Sequence, residues 1–530
     1  MAAVFRWLLP LIIIVIAVLL FFNRMAFSNL ILARGDTFLY FYPYWQAAAD
    51  AITSGRLPLW NNQLFMGAPF LANSQVGMFY PLNWPFWLAL PTPYAVSGSI
   101  IIHVMIAGWG AYLAGRLCLT LSKSTAFLSA VLFALGGYLT AQIEHVNQLQ
   151  GLAWLPWYFV AACWWRQSAK DRQATVRFIA AITVLVTLQL LAGHTQTVFI
   201  SVFGLLVWMF SSSYEEGVWR KRRTIAGLLI IFSGALLAIL IAGIQVAPTA
   251  ELLMNSSRQG GITPKEALSF SLHPLLLTRS LFPQYGTSLF TEYIAYLPLT
   301  ALLLAIAGAW SYRQNQQIRS LFFVAAVGFL FALGMFNPIY QLLVRIPGFD
   351  LFRVPARWLA LYAFGTALLA GAGLETLLSP GRRKGTERAL GIGMLLIIVL
   401  LGWGLLSGYL ASFVAVGSEV TVEYPAVLTW IGWGAELILA VPIFVFLLKK
   451  NRRLAYAAIL ILVLVVLFSQ SRSLPYNDLT TPEAYSDLRP PSTRLQAITE
   501  CPTSDPDCDR PAGRILSLSD IFFDPGDQGE

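Results

Sequence analysis

One acidic residue, Asp36, follows a glycine shortly after the first long apolar run of the chain. A carboxylate held where the chain leaves a membrane is poorly hydrated, which makes it a stronger base. Arg34 lies two residues before it and Thr37 directly after it. Asp36 could instead be a solvated loop acid, or could cap a helix together with Thr37. Its position alone therefore makes Asp36 a candidate general base and leaves these alternatives open.

Other ionisable side chains interrupt apolar stretches. Glu144 and His145 occur in AQIEHVNQLQG, and His194 occurs in LAGHTQT. Such groups near membrane depth are candidates for function, although Glu144 and His145 could equally be ordinary turn polarity. His103 and Glu436 lie inside apolar runs. For these two we expect a hydrogen-bonded core histidine and an acid that packs between helices.

Arginines cluster in a segment that reads NPIYQLLVRIPGFDLFRVPARWLALYAFG. The planar guanidinium group of arginine suits a phosphate. Arg345, Arg353 and Arg357 are therefore candidates for binding a lipid phosphate. The alternative is that they reach from the end of a span to headgroups.

The composition is that of a membrane protein with many spans. Of the 530 residues, 57% are hydrophobic and 12% are charged, whereas soluble domains carry about 25% charged residues. We attribute the net charge of +9 to cytoplasmic loops rather than to nucleic-acid binding. No P-loop, dinucleotide fingerprint, zinc-protease motif or nucleophile elbow occurs at a usable place, which argues against ATP-driven pumps and common hydrolases.

Apolar runs predict an all-α protein with about thirteen transmembrane helices. Their centres lie near residues 15, 105, 132, 156, 185, 205, 236, 302, 328, 365, 398, 437 and 461. With the N-terminus in the cytoplasm, 21 of the 35 basic residues fall in inner loops, as the positive-inside rule expects. This predicts a multi-pass protein of the bacterial plasma membrane with an extracytoplasmic C-terminal tail.

The long outer segments are where we expect the chemistry. Residues 1–470 form the predicted transmembrane domain, and residues 27–93 its first outer loop. Pro43 and Gly55 delimit a short amphipathic helix in that loop. We expect this helix to lie in the membrane interface. Residues 471–530 form a short tail with 5 basic and 11 acidic residues.

The four cysteines divide into two pairs. Cys118 and Cys163 lie in or beside apolar helices, where we expect buried thiols. Cys501 and Cys508 flank a polar loop, a spacing that suits a local disulfide in an oxidising compartment.

Several motifs in order resemble the YfhO family of bacterial membrane proteins. The motifs are Gly35-Asp36-Thr37, Tyr42-Pro43, Gly55-Arg56-Leu57-Pro58-Leu59-Trp60-Asn61, Gly67-Ala68-Pro69-Phe70, Gln75, Tyr80-Pro81, Gly193-His194-Thr195-Gln196 and Phe352-Arg353-Val354-Pro355-Ala356-Arg357. The resemblance implies a GT-C glycosyltransferase fold with an acid and interfacial helices in the first outer loop. The chain departs from the family pattern in two ways. Many GT-C enzymes have a paired acidic motif in this loop, whereas this loop has only Asp36 nearby. The tail after the last span is also short for the family.

The resemblance also implies an activity. Such enzymes move a sugar from a polyprenyl-phosphate carrier to a cell-envelope acceptor at the outer face. We expect Asp36 to be the base and Arg353 and Arg357 to neutralise the lipid phosphate. Substrate contacts are expected from Arg34, Glu144, His145, His194 and Gln196. A divalent cation is left open, because one carboxylate and one imidazole are a thin metal site.

Two other function classes remain at this stage. A transporter or flippase of lipid-linked sugars would also need many spans and outer arginines, although the chain shows no clear inverted repeat. A non-catalytic assembly protein of the envelope would not depend on Asp36.

Overall fold

The fold is taken from a computed structural model of the chain. The structure describes residues 2–62, 67–168, 172–212, 217–256, 259–284, 289–379, 383–411, 413, 424–444, 450–472, 474 and 477–486. Within these ranges the chain is mainly helical, with four strands of two residues each.

The elements of the first half are α1 (Ala2–Phe21), α2 (Asn23–Phe27), β1 (Ile31–Leu32), α3 (Tyr42–Thr53), β2 (Trp60–Asn61), β3 (Ala68–Pro69), α4 (Trp84–Ala89), α5 (Thr92–Cys118), α6 (Lys123–Ala134), α7 (Gly137–Ala141), α8 (Val146–Leu152), α9 (Leu155–Gln167), α10 (Arg172–Ala192), α11 (Thr195–Ser211), α12 (Gly217–Ile241) and α13 (Gly243–Met254). Those of the second half are α14 (Pro264–Ala267), α15 (Leu277–Leu281), α16 (Leu299–Ser311), α17 (Gln316–Ala332), α18 (Pro338–Leu343), α19 (Leu359–Leu378), α20 (Arg383–Ala411), α21 (Val427–Pro442), α22 (Arg452–Ser471), β4 (Leu479–Thr480) and α23 (Glu483–Ser486).

A helix covers each of the thirteen predicted span centres. Among the described residues, six helices are long and apolar enough to cross a membrane. A seventh span results if Ile225–Ile241 and Gly243–Met254, which meet at an angle of 80°, count as one. Five further apolar helices are 10–17 residues long. The structure therefore shows a multi-span helical protein, and the count of thirteen is not confirmed.

Helix α19 lies at the centre of the bundle. It packs against α6, α16 and α17, and α6 in turn packs against α5. Its apolar and small side chains are buried along almost the whole helix. By contrast, α20 leaves large apolar side chains such as Leu395 and Val399 exposed. An exposed apolar helix face of this kind suits contact with lipid.

The described residues of the first long loop, 27–62 and 67–93, fold into short elements, of which α3 and α4 pack against α5. In α3 the predicted face is confirmed, because Trp45, Ala48 and Ala51 are buried while Asp50 is exposed. The Trp45 ring meets the Trp87 ring edge-on at 5.4 Å. Strands β2 and β3 pair antiparallel as a small hairpin. The loop is thus a packed cap on the bundle.

The chain beyond α22 returns to this loop. Strand β4 pairs antiparallel with β1, with Ile31 opposite Thr480 and Leu32 opposite Leu479. The Ala33 N–H extends the ladder by donating to the Asp478 carbonyl at 3.0 Å. Residues 478–480 of the predicted tail therefore pair with the segment that leads to Asp36.

The expectation of free thiols at Cys118 and Cys163 is wrong. The two residues form a disulfide between α5 and α9, with their Cα atoms 5.4 Å apart. The packing of these helices brings together residues that are 45 positions apart in the sequence, which periodicity could not show. The predicted pair Cys501 and Cys508 lies outside the described residues.

Candidate active site

Asp36 and His145 face each other at one end of the bundle. The distance from Asp36 Oδ2 to His145 Nε2 is 3.6 Å. The Asp36 side chain is 58% exposed and that of His145 is 19% exposed. The buried Nδ1 atom of His145 has no hydrogen-bond partner among the described residues. The pair thus combines an accessible carboxylate with a largely buried imidazole.

The loop that carries Asp36 is docked onto Glu144. Gly35 has a positive φ of +63°, and a Cβ atom there would lie 2.0 Å from Glu144 Oε2. Only glycine fits such a conformation and such a close approach without strain. The Thr37 hydroxyl, which is buried, donates to the Glu144 carbonyl at 3.3 Å. These contacts bring Asp36, Glu144 and His145 together. Arg34 is exposed at the start of this turn.

Arg357 is held in a buried ion pair that the sequence reasoning missed. Its Nε and Nη2 atoms both lie 2.8 Å from Glu292 Oε1. Its Nη1 atom donates to Gln196 Oε1, also at 2.8 Å. Glu292 is 1% exposed and accepts a further bond from Gln148 Nε2 at 3.3 Å. Charge and hydrogen bonds therefore fix the guanidinium group before any ligand arrives.

Burial raises the pKa of Glu292, but the charges of Arg357 and His145 and the hydrogen bonds from Arg357 and Gln148 together outweigh it, and the net pKa is lowered from its ordinary value. Glu292 is therefore ionised at neutral pH. The signal that singled out Glu144 also applies to Glu292, because it is a lone acid just before an apolar run. That signal does not identify the partner of Glu292, because Arg357 lies 65 residues away in the sequence.

His194 lies near this network but does not contact Asp36. Its Nδ1 atom hydrogen-bonds to the Thr197 hydroxyl. Burial lowers the pKa of His194 well below its usual value, and Arg357 and His145 lower it further. His194 is thus neutral near pH 7. The preceding Gly193 has a φ of +87°, and a Cβ atom there would collide with the Ser74 carbonyl. His194 therefore sits where the first long loop touches the turn between α10 and α11.

Arg353 has a different setting from Arg357. Arg353 is exposed, while its backbone carbonyl accepts from Gln196 Nε2 at 2.8 Å. The next residue, Val354, adopts a left-handed conformation with φ of 62°. This is rare for a β-branched residue, and such strain persists only where the surroundings impose it. Gln196 thus ties together the backbone beside Arg353 and the side chain of Arg357.

Across the described ranges, no three His, Cys, Asp or Glu side chains are grouped so that they could hold a metal ion.

The two ionisable groups inside apolar runs have structural partners, as expected. His103 Nδ1 lies 2.6 Å from the Ser99 carbonyl and therefore carries the proton. Its Nε2 atom then accepts from the Tyr80 hydroxyl at 2.7 Å. Glu436 Oε1 accepts from the Thr300 N–H at 2.7 Å, at the start of α16. These contacts anchor the first long loop and cap a helix, so neither residue indicates a transport path.

The fold is similar to those of solved membrane enzymes. The apo oligosaccharyltransferase of Archaeoglobus fulgidus matches with a TM-score of 0.51 at 13% identity, over 93% of this chain and 59% of that one. The oligosaccharyltransferase AglB of the same organism, in complex with an inhibitory peptide and a dolichol-phosphate, matches with a TM-score of 0.50 at 12% identity, over 93% and 60% of the two chains. This chain thus spans about three-fifths of their length. Both similarities show a fold shared with GT-C glycosyltransferases.

A third structure is that of ArnT from Cupriavidus metallidurans bound to undecaprenyl phosphate. It matches with a TM-score of 0.49 at 12% identity, over 88% of this chain and 78% of that one. No curated protein sequence matches the chain. A family model described as bacterial membrane protein YfhO matches residues 7–499, which are 493 of the 530 residues. The chain is therefore a multi-pass membrane protein that belongs to the YfhO family.

Proposed function

We propose that this protein is a membrane glycosyltransferase that moves a sugar from a polyprenyl-phosphate carrier to an acceptor of the cell envelope. The observation that carries the proposal is the pairing of an exposed Asp36 with His145, beside a buried Arg357–Glu292 pair, at one end of a GT-C-like bundle. A base and fixed positive charge are the two groups that this reaction needs.

In the proposed step, the Asp36 carboxylate takes the proton from the acceptor hydroxyl. The acceptor oxygen attacks the anomeric carbon as the bond from that carbon to the phosphate oxygen breaks. The phosphate leaves with the bonding electrons, and the configuration at the carbon inverts. His145 holds the carboxylate in place through its Nε2 atom, which lies 3.6 Å from Asp36 Oδ2.

The two arginines have different proposed roles. Arg353 is exposed and carries the charge that meets the leaving phosphate. The charge of Arg357 is already balanced by Glu292, so Arg357 positions the loop and contributes its remaining N–H groups to the same phosphate. Gln196 contacts both residues and sets the spacing between them. Arg34, Glu144 and His194 border the space where the sugar would lie.

The choice of donor rests on chemistry and on fold. A phosphate-linked donor fits exposed arginine beside a carboxylate base. The archaeal AglB structure of similar fold is described as a complex with a dolichol-phosphate, which supports a lipid-linked donor for this chain as well. An envelope polymer or glycolipid is the acceptor class we propose for an enzyme that works at the outer face.

The proposed orientation has the N-terminus in the cytoplasm and Asp36 outside. Basic residues gather at the end of the bundle opposite Asp36, at the ends of α5, α6, α9 and α22. At that end Arg452 donates to the Leu378 carbonyl at 2.9 Å. Such a charge distribution is typical of a cytoplasmic face.

The test is sugar transfer by purified protein in proteoliposomes. Polyprenyl-phosphate hexoses carrying separate labels on the sugar and the lipid are supplied with a crude envelope acceptor. The proposal predicts that sugar label alone enters the acceptor and that the new linkage has the inverted anomeric configuration. Movement of both labels together across the bilayer, without a new covalent bond, would contradict the proposal and favour a flippase.

A further inference from the structure

A pocket lies where α1, α2 and the chain after α22 meet the β1–β4 ladder. It is a shallow pocket of about 430 Å³ when the solvent space at its open mouth is included. Phe21, Leu32 and Ile143 form apolar parts of its wall. Leu32 lies in β1, and Ile143 directly precedes Glu144. The pocket is thus separate from the proposed transfer site but shares its supporting segments.

Two arginines give the pocket a positive charge. Arg24 of α2 and Arg472, which follows α22, both line it, and both are exposed. None of the described residues that line the pocket is acidic. Arg472 Nη2 donates to Asn23 Oδ1 at 2.8 Å, which holds its guanidinium group in place. Asn477 adds an amide to the wall. An anion is therefore the ligand that this pocket favours.

The helices below the pocket indicate that the anion belongs to a bilayer lipid. The ring of Phe21 meets the ring of Phe468 edge-on at 5.3 Å, so α1 and α22 pack together directly beneath it. On their outer faces Leu20 and Val465 are more than half exposed. Exposed apolar side chains on two long helices suit contact with acyl chains. A lipid lying along this face would bring its headgroup to Arg24 and Arg472.

We propose that the pocket binds the phosphate headgroup of an anionic phospholipid, with Arg24 and Arg472 as its charged ligands. The assignment of this lipid to the outer leaflet rests on the orientation given with the proposed function. The proposal that the pocket binds a lipid headgroup does not depend on that orientation. If the arginines only reached from a helix end to the membrane interface, one arginine would be enough. The second arginine, Arg472, is held beside Arg24 by its hydrogen bond to Asn23, which favours a binding site. The bound lipid would brace α1, α22 and the β1–β4 ladder from the membrane side.

The test is lipid binding by delipidated full-length protein in neutral detergent. Phosphatidylglycerol is titrated while thermal unfolding and lipid retention in native mass spectrometry are recorded. We expect the double variant Arg24→Gln/Arg472→Gln to bind phosphatidylglycerol about tenfold more weakly or worse. Arg56→Gln, which removes an exposed arginine elsewhere in the first long loop, should bind as the wild type does.

Three competitors separate the sources of phosphate. Phosphatidylcholine, whose phosphate is balanced by a cation, should bind more weakly than phosphatidylglycerol, and inorganic phosphate should not displace the lipid. A polyprenyl phosphate that displaces phosphatidylglycerol at equal concentration would overturn the proposal, because the pocket would then belong to the donor. Equal binding by the wild type and the double variant would overturn it too. Arg24→Lys/Arg472→Lys keeps both charges and should retain measurable binding, which guards against misfolding as the cause of a loss.

Discussion

At the scale of single residues, the proposed catalytic and phosphate-binding side chains are held in place by residues that have no proposed part in the chemistry. Gly35 gives the turn its positive φ and leaves room for Glu144. Gln196 joins the backbone at Arg353 to the guanidinium group of Arg357. Glu292 neutralises Arg357 inside the protein. A buried pair of this kind contributes little when intact but is costly to break.

Glu292→Gln should therefore destabilise the protein by about 3–5 kcal/mol at neutral pH, because it leaves Arg357 buried without a counter-charge. The pKa of Glu292 lies below its ordinary value of 4.5. Its contribution to stability is thus complete above pH 4.5 and is lost as the pH falls through the lower pKa of the folded state. Thermal unfolding is measured in detergent between pH 7 and pH 3. The difference in unfolding midpoint between wild type and variant should become smaller below pH 4.5.

The control for that series is Glu251→Gln, which removes an exposed carboxylate on α13. It should unfold like the wild type at every pH. If the difference in unfolding midpoint between wild type and Glu292→Gln stayed constant down to pH 3, the claim that Glu292 is ionised in the folded protein would be contradicted.

The sequence supplies the candidate site residues but does not show which of them contact each other. Asp36, Glu144 and His145 were found because ionisable groups are costly near lipid and stand out in apolar surroundings. Arg353 and Arg357 are candidates because a guanidinium group suits a phosphate, and Gln196 is a candidate through a family motif. The Arg357–Glu292 pair was missed because its members are 65 residues apart, and no local pattern records which charges meet in three dimensions.

At the scale of elements, the β1–β4 ladder links the two ends of the described chain. Tyr485 of α23 lies edge-on to Tyr42 and Phe38, with ring centroids 5.1 Å and 5.6 Å away. The Tyr42 hydroxyl donates in turn to the Leu32 carbonyl at 3.2 Å. The segment after α22 thus packs on both sides of the turn that carries Asp36.

We expect Tyr485→Ala to slow sugar transfer by about tenfold and to lower stability by about 1–3 kcal/mol, since it removes two aromatic contacts. Tyr485→Phe keeps the ring and should transfer at close to the wild-type rate. The measurement is initial rate in proteoliposomes together with the unfolding midpoint. A full rate for Tyr485→Ala would show that this segment does not support the Asp36 turn.

The helices could be predicted from apolar runs because a span must satisfy its backbone hydrogen bonds internally. The small strands could not. Each has two residues, and β1 and β4 are more than 400 positions apart in the sequence. Two residues carry too little periodicity to distinguish a strand from an extended loop.

At the scale of the whole molecule, all of the proposed chemistry lies at one face of the membrane. Asp50 is exposed on α3, at the face of Asp36, and Arg388 is exposed on α20. The positive-inside pattern assigns these residues to opposite sides. In a protein without its four native cysteines, Asp50→Cys should react with a membrane-impermeant maleimide on intact cells. Arg388→Cys should react only after permeabilisation, and the reverse pattern would contradict the proposed orientation.

The central claim is that Asp36 is the base of a sugar transfer. The most direct test compares transfer by the wild type, Asp36→Asn and Asp50→Asn in the same proteoliposomes, with folding of each checked by its unfolding midpoint. General-base catalysis is typically worth about 10²–10⁴ in rate, so Asp36→Asn should fold normally and transfer sugar at least about a hundredfold more slowly, while Asp50→Asn keeps the wild-type rate. Transfer by Asp36→Asn at the wild-type rate would contradict the claim.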